Sequence, residues 1–83
     1  MFFVVIRGGG DLGTGVALRL HRAGLRSFVT ELPEPLAVRR LVSFCEAVYE
    51  REWTVEGVTA RLVSTQSEGL DVLGRGDIPV LVS

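Results

Sequence analysis

The N-terminus runs from Phe2 to Ile6 through five consecutive apolar residues and then into Gly8-Gly9-Gly10-Asp11-Leu12-Gly13. An unbroken apolar run, rich in β-branched residues and closed by glycines, predicts a strand buried on both faces, as in parallel sheets. After the glycines, Leu12, Val16 and Leu20 recur at spacing four while Arg19, Arg22 and Arg26 mark the opposite side. That period predicts an amphipathic helix with Leu12, Val16 and Leu20 toward the core. Gly24 is placed to end it in a left-handed conformation.

Gly8, Gly10 and Gly13 have the G-x-G-x-x-G spacing between a predicted strand and a predicted helix. Each glycine has its own physical reason there: a tight turn at Gly8, backbone approach to a pyrophosphate at Gly10, and close helix–strand packing at Gly13. The helix start then offers free N–H groups and a partial positive charge to an anion. Glu31, twenty-three positions on from Gly8, stands near where an acidic residue accepts hydrogen bonds from the ribose hydroxyls of NAD. Arg39 and Arg40 are alternative partners for a 2′-phosphate. The plainer reading of the glycines is a structural strand-to-helix turn, and of Glu31 a solvated carboxylate. Asp11 would repel a nearby pyrophosphate by about 1 kcal/mol or more, so we read it first as an N-cap. A cation bridging it to phosphate is the sharper alternative. The candidate nucleotide-binding residues are thus Gly8, Gly9, Gly10, Asp11, Gly13 and Glu31.

The remaining chain predicts strands over 27–30 and 78–82 and a helix over 36–42 after Pro33 and Pro35. A short helix follows through Tyr49, opened by a capping box at Ser43–Glu46. Glu56-Gly57 is a two-residue hairpin turn. Pairing Val55 with Val58 sets Thr54 opposite Thr59, Trp53 opposite Ala60 and Glu52 opposite Arg61, which gathers Trp53, Val55, Val58 and Ala60 on one apolar face. Thr65–Glu68 is a second capping box, Leu70 and Leu73 supply a helix face, and Gly74 and Gly76 can stop it. The sum is an α/β chain: a Rossmann-like three-layer fragment with a small parallel sheet and an inserted β-hairpin.

Eighty-three residues and 9.0 kDa make this a single domain over 1–83, too small for a deep catalytic cavity. Nine basic against ten acidic residues, net −1, leave no electrostatic footprint for nucleic acid or anionic membrane. The lone Cys45 excludes an internal disulfide and reads as a small buried hydrophobe. Without a secretory signal or a bilayer-length apolar run, a cytoplasmic location is expected. His21, the one histidine, reads as a solvated helix residue. No Cys/His cluster suggests zinc, and with no lysine a Walker motif is excluded. An autonomous catalyst is not expected.

GGGDLGTGVA, HRAG, TELPEPLAVRR, EAVYE and TVEGVTARLV together resemble the YqeB-type accessory proteins of selenium-dependent molybdenum hydroxylases, along nearly all of the chain. The resemblance implies the N-terminal Rossmann-like part of a longer protein that helps mature or insert the molybdenum cofactor. It implies a non-catalytic accessory module that binds a nucleotide at the glycine loop, either an NAD-like dinucleotide or a molybdopterin-related nucleotide, with a molybdenum hydroxylase or its maturation proteins as partners. The competing expectations are a ligand-free interaction or oligomerisation fragment of the same fold, and an oxidoreductase subunit. Proteins of that type continue past the position of Ser83, so the loop that would complete a dinucleotide cradle beyond Val82 is expected to be missing here. With a 3-2-1 strand order the apolar first strand becomes an edge, and self-association through it is expected.

Overall fold

The computed structural model describes residues 2–8, 10–32 and 43–82; for Asp11 it describes the backbone alone. The helix expected over 36–42, together with Arg39 and Arg40, lies outside these residues, as does Gly9. Five strands form one sheet in the order β1-β2-β5-β4-β3. They are β1 (Val4–Arg7), β2 (Ser27–Glu31), β3 (Glu52–Val55), β4 (Val58–Val63) and β5 (Ile78–Val82). β1, β2, β5 and β4 run parallel, and β3 pairs antiparallel with β4 at the far edge. Helices α1 (Asp11–Arg22) and α3 (Gln66–Gly74) make the two parallel crossovers, and a 3₁₀ turn (Phe44–Glu46) leads into the short α2 (Ala47–Glu50). The fold is a mixed α/β sheet with helices on both faces.

The crossovers explain why both faces are covered. β1-α1-β2 and β4-α3-β5 advance toward the sheet centre from opposite edges, and right-handed connections then place their helices on opposite sides. Two apolar clusters result. Ala17 and Leu18 of α1 pack with Phe44, Ala47, Val29, Val55, Val58, Ala60, Ile78 and Val80 on one face, whereas Val72 and Leu73 of α3 pack with Phe28 and Val63 on the other.

The hairpin forms in the expected register, Val55 with Val58 through Glu52 with Arg61. Glu56 and Gly57 both take positive φ, 51° and 80°, as a type I′ turn requires. Thr54 and Thr59 share a hydroxyl hydrogen bond of 2.8 Å on the polar face. Arg61 donates to Glu52 (2.6 Å) and to Asp77 (2.7 Å), which ties the hairpin to the entry of β5. Gly24, at φ 81°, closes α1 as expected: its N–H donates to the His21 carbonyl and that of Leu25 to the Leu20 carbonyl, the pattern of a Schellman motif. Gly76 closes α3 in the same way.

Four expectations are corrected. β1 is not buried on both faces: Ile6 packs on the α1 cluster, but Val5 is 56% exposed, because β1 is an edge strand and α3 lies over β2, β4 and β5. The buried face of α1 is Thr14, Ala17 and Leu18, while Leu12 and Val16 are 88% and 48% exposed. Gly13 determines this rotation, because the face that carries it is the one able to approach β1 (see below). The Ser43–Glu46 capping box is absent: Ser43 makes no side-chain cap bond, the Glu46 N–H donates to the Ser43 carbonyl at 3.1 Å, and the Phe44 N–H donates to Thr14 Oγ1 at 2.8 Å. In α3, Thr65 does cap by accepting from the Glu68 N–H, but the buried face is Gly69, Val72 and Leu73, with Leu70 largely exposed. A Cβ on Gly69 would lie 2.3 Å from the Phe28 ring, so α3 seats on the sheet through a residue with no side chain.

Candidate functional site

The glycine loop joins the carboxyl end of β1 to the start of α1. Gly8 has φ 89° and its N–H donates to the Thr30 carbonyl at 2.8 Å. It therefore makes the tight turn, and its own N–H is held by the neighbouring strand. Gly10, not Asp11, occupies the N-cap position, and Asp11 is the first helical residue. This corrects the expected capping role: the turn brings Gly10, which has no side chain, to the N-cap position.

The first intrahelical bond runs from the Thr14 N–H to the Gly10 carbonyl at 2.8 Å. The N–H groups of Asp11, Leu12 and Gly13 consequently precede the helical ladder. The glycines differ in what surrounds them. A Cβ on Gly13 would sit 2.0 Å from the Gly8 carbonyl oxygen and 3.5 Å from Ile6 Cγ2, whereas a Cβ on Gly10 would meet nothing within 4 Å. Gly13 is closed against the protein, and Gly10 is open.

Beside the loop, at the carboxyl ends of β1 and β2, lies a cavity of about 360 Å³ lined by Arg7, Gly8, Thr30, Glu31 and Leu32. Glu31 ends β2, half-buried, and its Oε1 accepts from the Leu32 N–H at 3.0 Å. Two residues singled out in the sequence, Gly8 and Glu31, thus meet at one cavity. Arg7 was missed, although a cation directly before the glycine cluster was visible as a signal. The Phe44 N–H is held by Thr14 Oγ1 of α1 in a buried bond of 2.8 Å.

A second cavity, of about 230 Å³, lies at the amino ends of β2 and β5 and is lined in part by His21, Ser27 and Asp77. His21 is half-buried there rather than solvated. These three residue types do not form a catalytic triad. Ser27 Oγ is buried without a hydrogen-bond partner, and Asp77 is engaged by Arg61. Cys45 is buried, as a small hydrophobe would be. Among the described residues no helix is long and apolar enough to cross a membrane.

The chain is similar to the uncharacterized protein YqeB of Escherichia coli (strain K12), with 49% identity over 79 residues. The match covers 95% of this chain but 15% of the relative, so the chain spans a small part of that protein's length. No family model and no solved structure matches.

Proposed function

We propose that this chain is a Rossmann-like, non-catalytic nucleotide-binding module that serves as an accessory factor in molybdenum hydroxylase maturation. The observation that carries the binding part is the asymmetry of the loop. Gly13 is packed so tightly that no side chain fits, while Gly10 faces open space at the start of α1, with Gly8 and Glu31 on the adjoining cavity. An anion placed there meets the leading N–H groups of a twelve-residue helix. Glu31 is positioned at the end of β2 to accept from ribose hydroxyls. The proposed ligands are an NAD-like dinucleotide or a molybdopterin-related nucleotide. The accessory role rests on the similarity to YqeB-type proteins, and a cytoplasmic location on the use of a single, buried cysteine.

Calorimetric titration with NAD, NADP, ADP and a cytidine dinucleotide tests the binding reading, with Gly10→Val as the control. Open space and φ −75° at position 10 admit a side chain at a cost of about 1 kcal/mol or less for the altered N-cap. Binding heat that disappears in a folded Gly10→Val protein is the expected result. No heat from any of the four overturns the reading.

A second reading, an interaction fragment of the same fold, is favoured by the edge position of β1 in the sheet, where Phe2 and Val5 are exposed. The two readings share one proposal: a second copy adds to β1 across a two-fold axis.

A further inference from the structure

The two flanks of α1 face different neighbours. With 3.6 residues per turn, Arg22 stands opposite Gly13 on the helix, while Leu20 falls within about 20° of Gly13 and Val16 within about 60°. Arg22 pairs with Glu56 of the hairpin turn, so its flank looks inward along the sheet toward β4 and β3. Gly13 lies against Gly8 and Ile6, so its flank looks outward over β1, the edge strand. On that outer flank Val16 is exposed and Leu20 half-buried, and Leu12 is exposed on the crest beside them. Arg19 and Arg22 fall on the hairpin side, so no charge interrupts the apolar stripe. On the opposite face of the sheet, Val5 of the same edge is exposed as well. The free edge of β1 is thus bracketed by apolar side chains from both faces.

We infer that the outer flank of α1 is a helix-docking surface, and that its occupant is the same flank of a second copy of this chain. The inference rests on the second-copy reading above and deepens it, adding a helical seam to the strand pair. β1 has four residues, about 13 Å of edge, too short to bury alone the roughly 800 Å² per partner of an ordinary stable interface. α1 adds twelve residues and about 18 Å. A two-fold axis through Val5, perpendicular to the sheet, sets Val5 against Val5 of the copy and Phe3 against Arg7 of the copy. Each guanidinium then meets an aromatic ring, and no like charges oppose. The same axis leaves both α1 helices on one face, antiparallel. α1 packs over β1 and β2 together, through Gly13 on Ile6 and through Ala17 and Leu18 in the cluster that contains Val29. Across the new strand pair the two helices lie two strand spacings apart, about 9.6 Å, inside the range of about 8–10 Å at which helices pack. Val16 and Leu20 fill the seam. The Leu12, Val16 and Leu20 stripe, spaced as a core face, is then buried by assembly instead of by the sheet of one chain.

The test is sedimentation equilibrium of the wild-type chain, Val5→Lys, Val16→Glu and Gly15→Glu, each checked for folding by circular dichroism. Gly15 is the control: it lies on the Arg22 flank of the same helix, exposed, and a Cβ there meets nothing within 4 Å. Val16→Glu is expected to weaken dimerisation by about tenfold or more, because an apolar contact is lost from both copies and two carboxylates are brought together. Gly15→Glu is expected to change it by less than about twofold. Oxidation of Val16→Cys is expected to give a covalent dimer and of Gly15→Cys none, with the native Cys45 buried. A Val16→Glu protein that dimerises like wild type while Val5→Lys is monomeric overturns the seam and leaves the second-copy reading standing. Equal weakening by Gly15→Glu overturns the seam too, since the effect then belongs to added charge and not to the flank. A monomeric wild type overturns the inference together with the second-copy reading.

Discussion

At the scale of single residues, the two ends of the glycine motif answer to different forces, and substitution separates them. Gly13→Ala places a methyl 2.0 Å from the Gly8 carbonyl, so α1 must lift from β1. The expected cost is about 1–3 kcal/mol of stability, read from urea unfolding, against about 1 kcal/mol or less for Gly10→Val. The motif spacing made Gly13 legible in the sequence because that spacing encodes a backbone contact between elements adjacent in the chain. Thr14 and Gly69 were not legible. Thr14 accepts from the N–H of Phe44, thirty residues away, and Gly69 leaves room for Phe28 on a strand forty-one residues earlier. No local pattern records such partners. The rotation of α1 was misread for a related reason. Leu12 and Val16 form the more apolar stripe, but the face that can reach the sheet is the one without a Cβ at position 13.

At the scale of elements, local chemistry was read well wherever a turn or cap fixed it. The hairpin register follows from the two-residue loop alone, since Glu56 and Gly57 leave only one pairing for Val55 and Val58. Gly24 likewise needed nothing beyond its own helix. Thr65 is the matching case for α3, whose Glu68 N–H it accepts at 3.1 Å. Thr65→Ala is expected to lower stability by about 1 kcal/mol, measured as a shift in the denaturation midpoint without a change in slope. Ser43 shows the limit of such motifs. The same spacing of serine and glutamate occurs there, yet the Glu46 N–H that the serine hydroxyl would cap donates to the Ser43 carbonyl and closes a 3₁₀ turn. A capping spacing goes unused where the backbone tightens into a 3₁₀ turn and supplies its own acceptor.

At the scale of the whole molecule, the edge position of β1 was legible, but not the identity of the strands beyond β2. β5, the last strand in the chain, is inserted between β2 and β4, and long-range order of this kind depends on which strands can be reached by right-handed crossovers. The exposed edge leads to a prediction at this scale. Wild-type chain is expected to sediment as a dimer at tens of micromolar, and Val5→Lys as a monomer, because the lysine adds a second positive charge to the face of β1 that already carries Arg7 and removes the apolar contact of Val5. A monomeric wild type would show that Val5 and Phe2 tolerate water without a partner.

Both crossover helices begin at the carboxyl ends of the strands that precede them, and both end at the rim where Gly24 and Gly76 line the second cavity. Their peptide dipoles therefore add along one direction. The molecule is an oriented electric object even though its formal charge is only −1. A negatively charged ligand at the glycine-loop rim meets the positive ends of both dipoles, an effect confined to about the first turn and weakened as ionic strength rises.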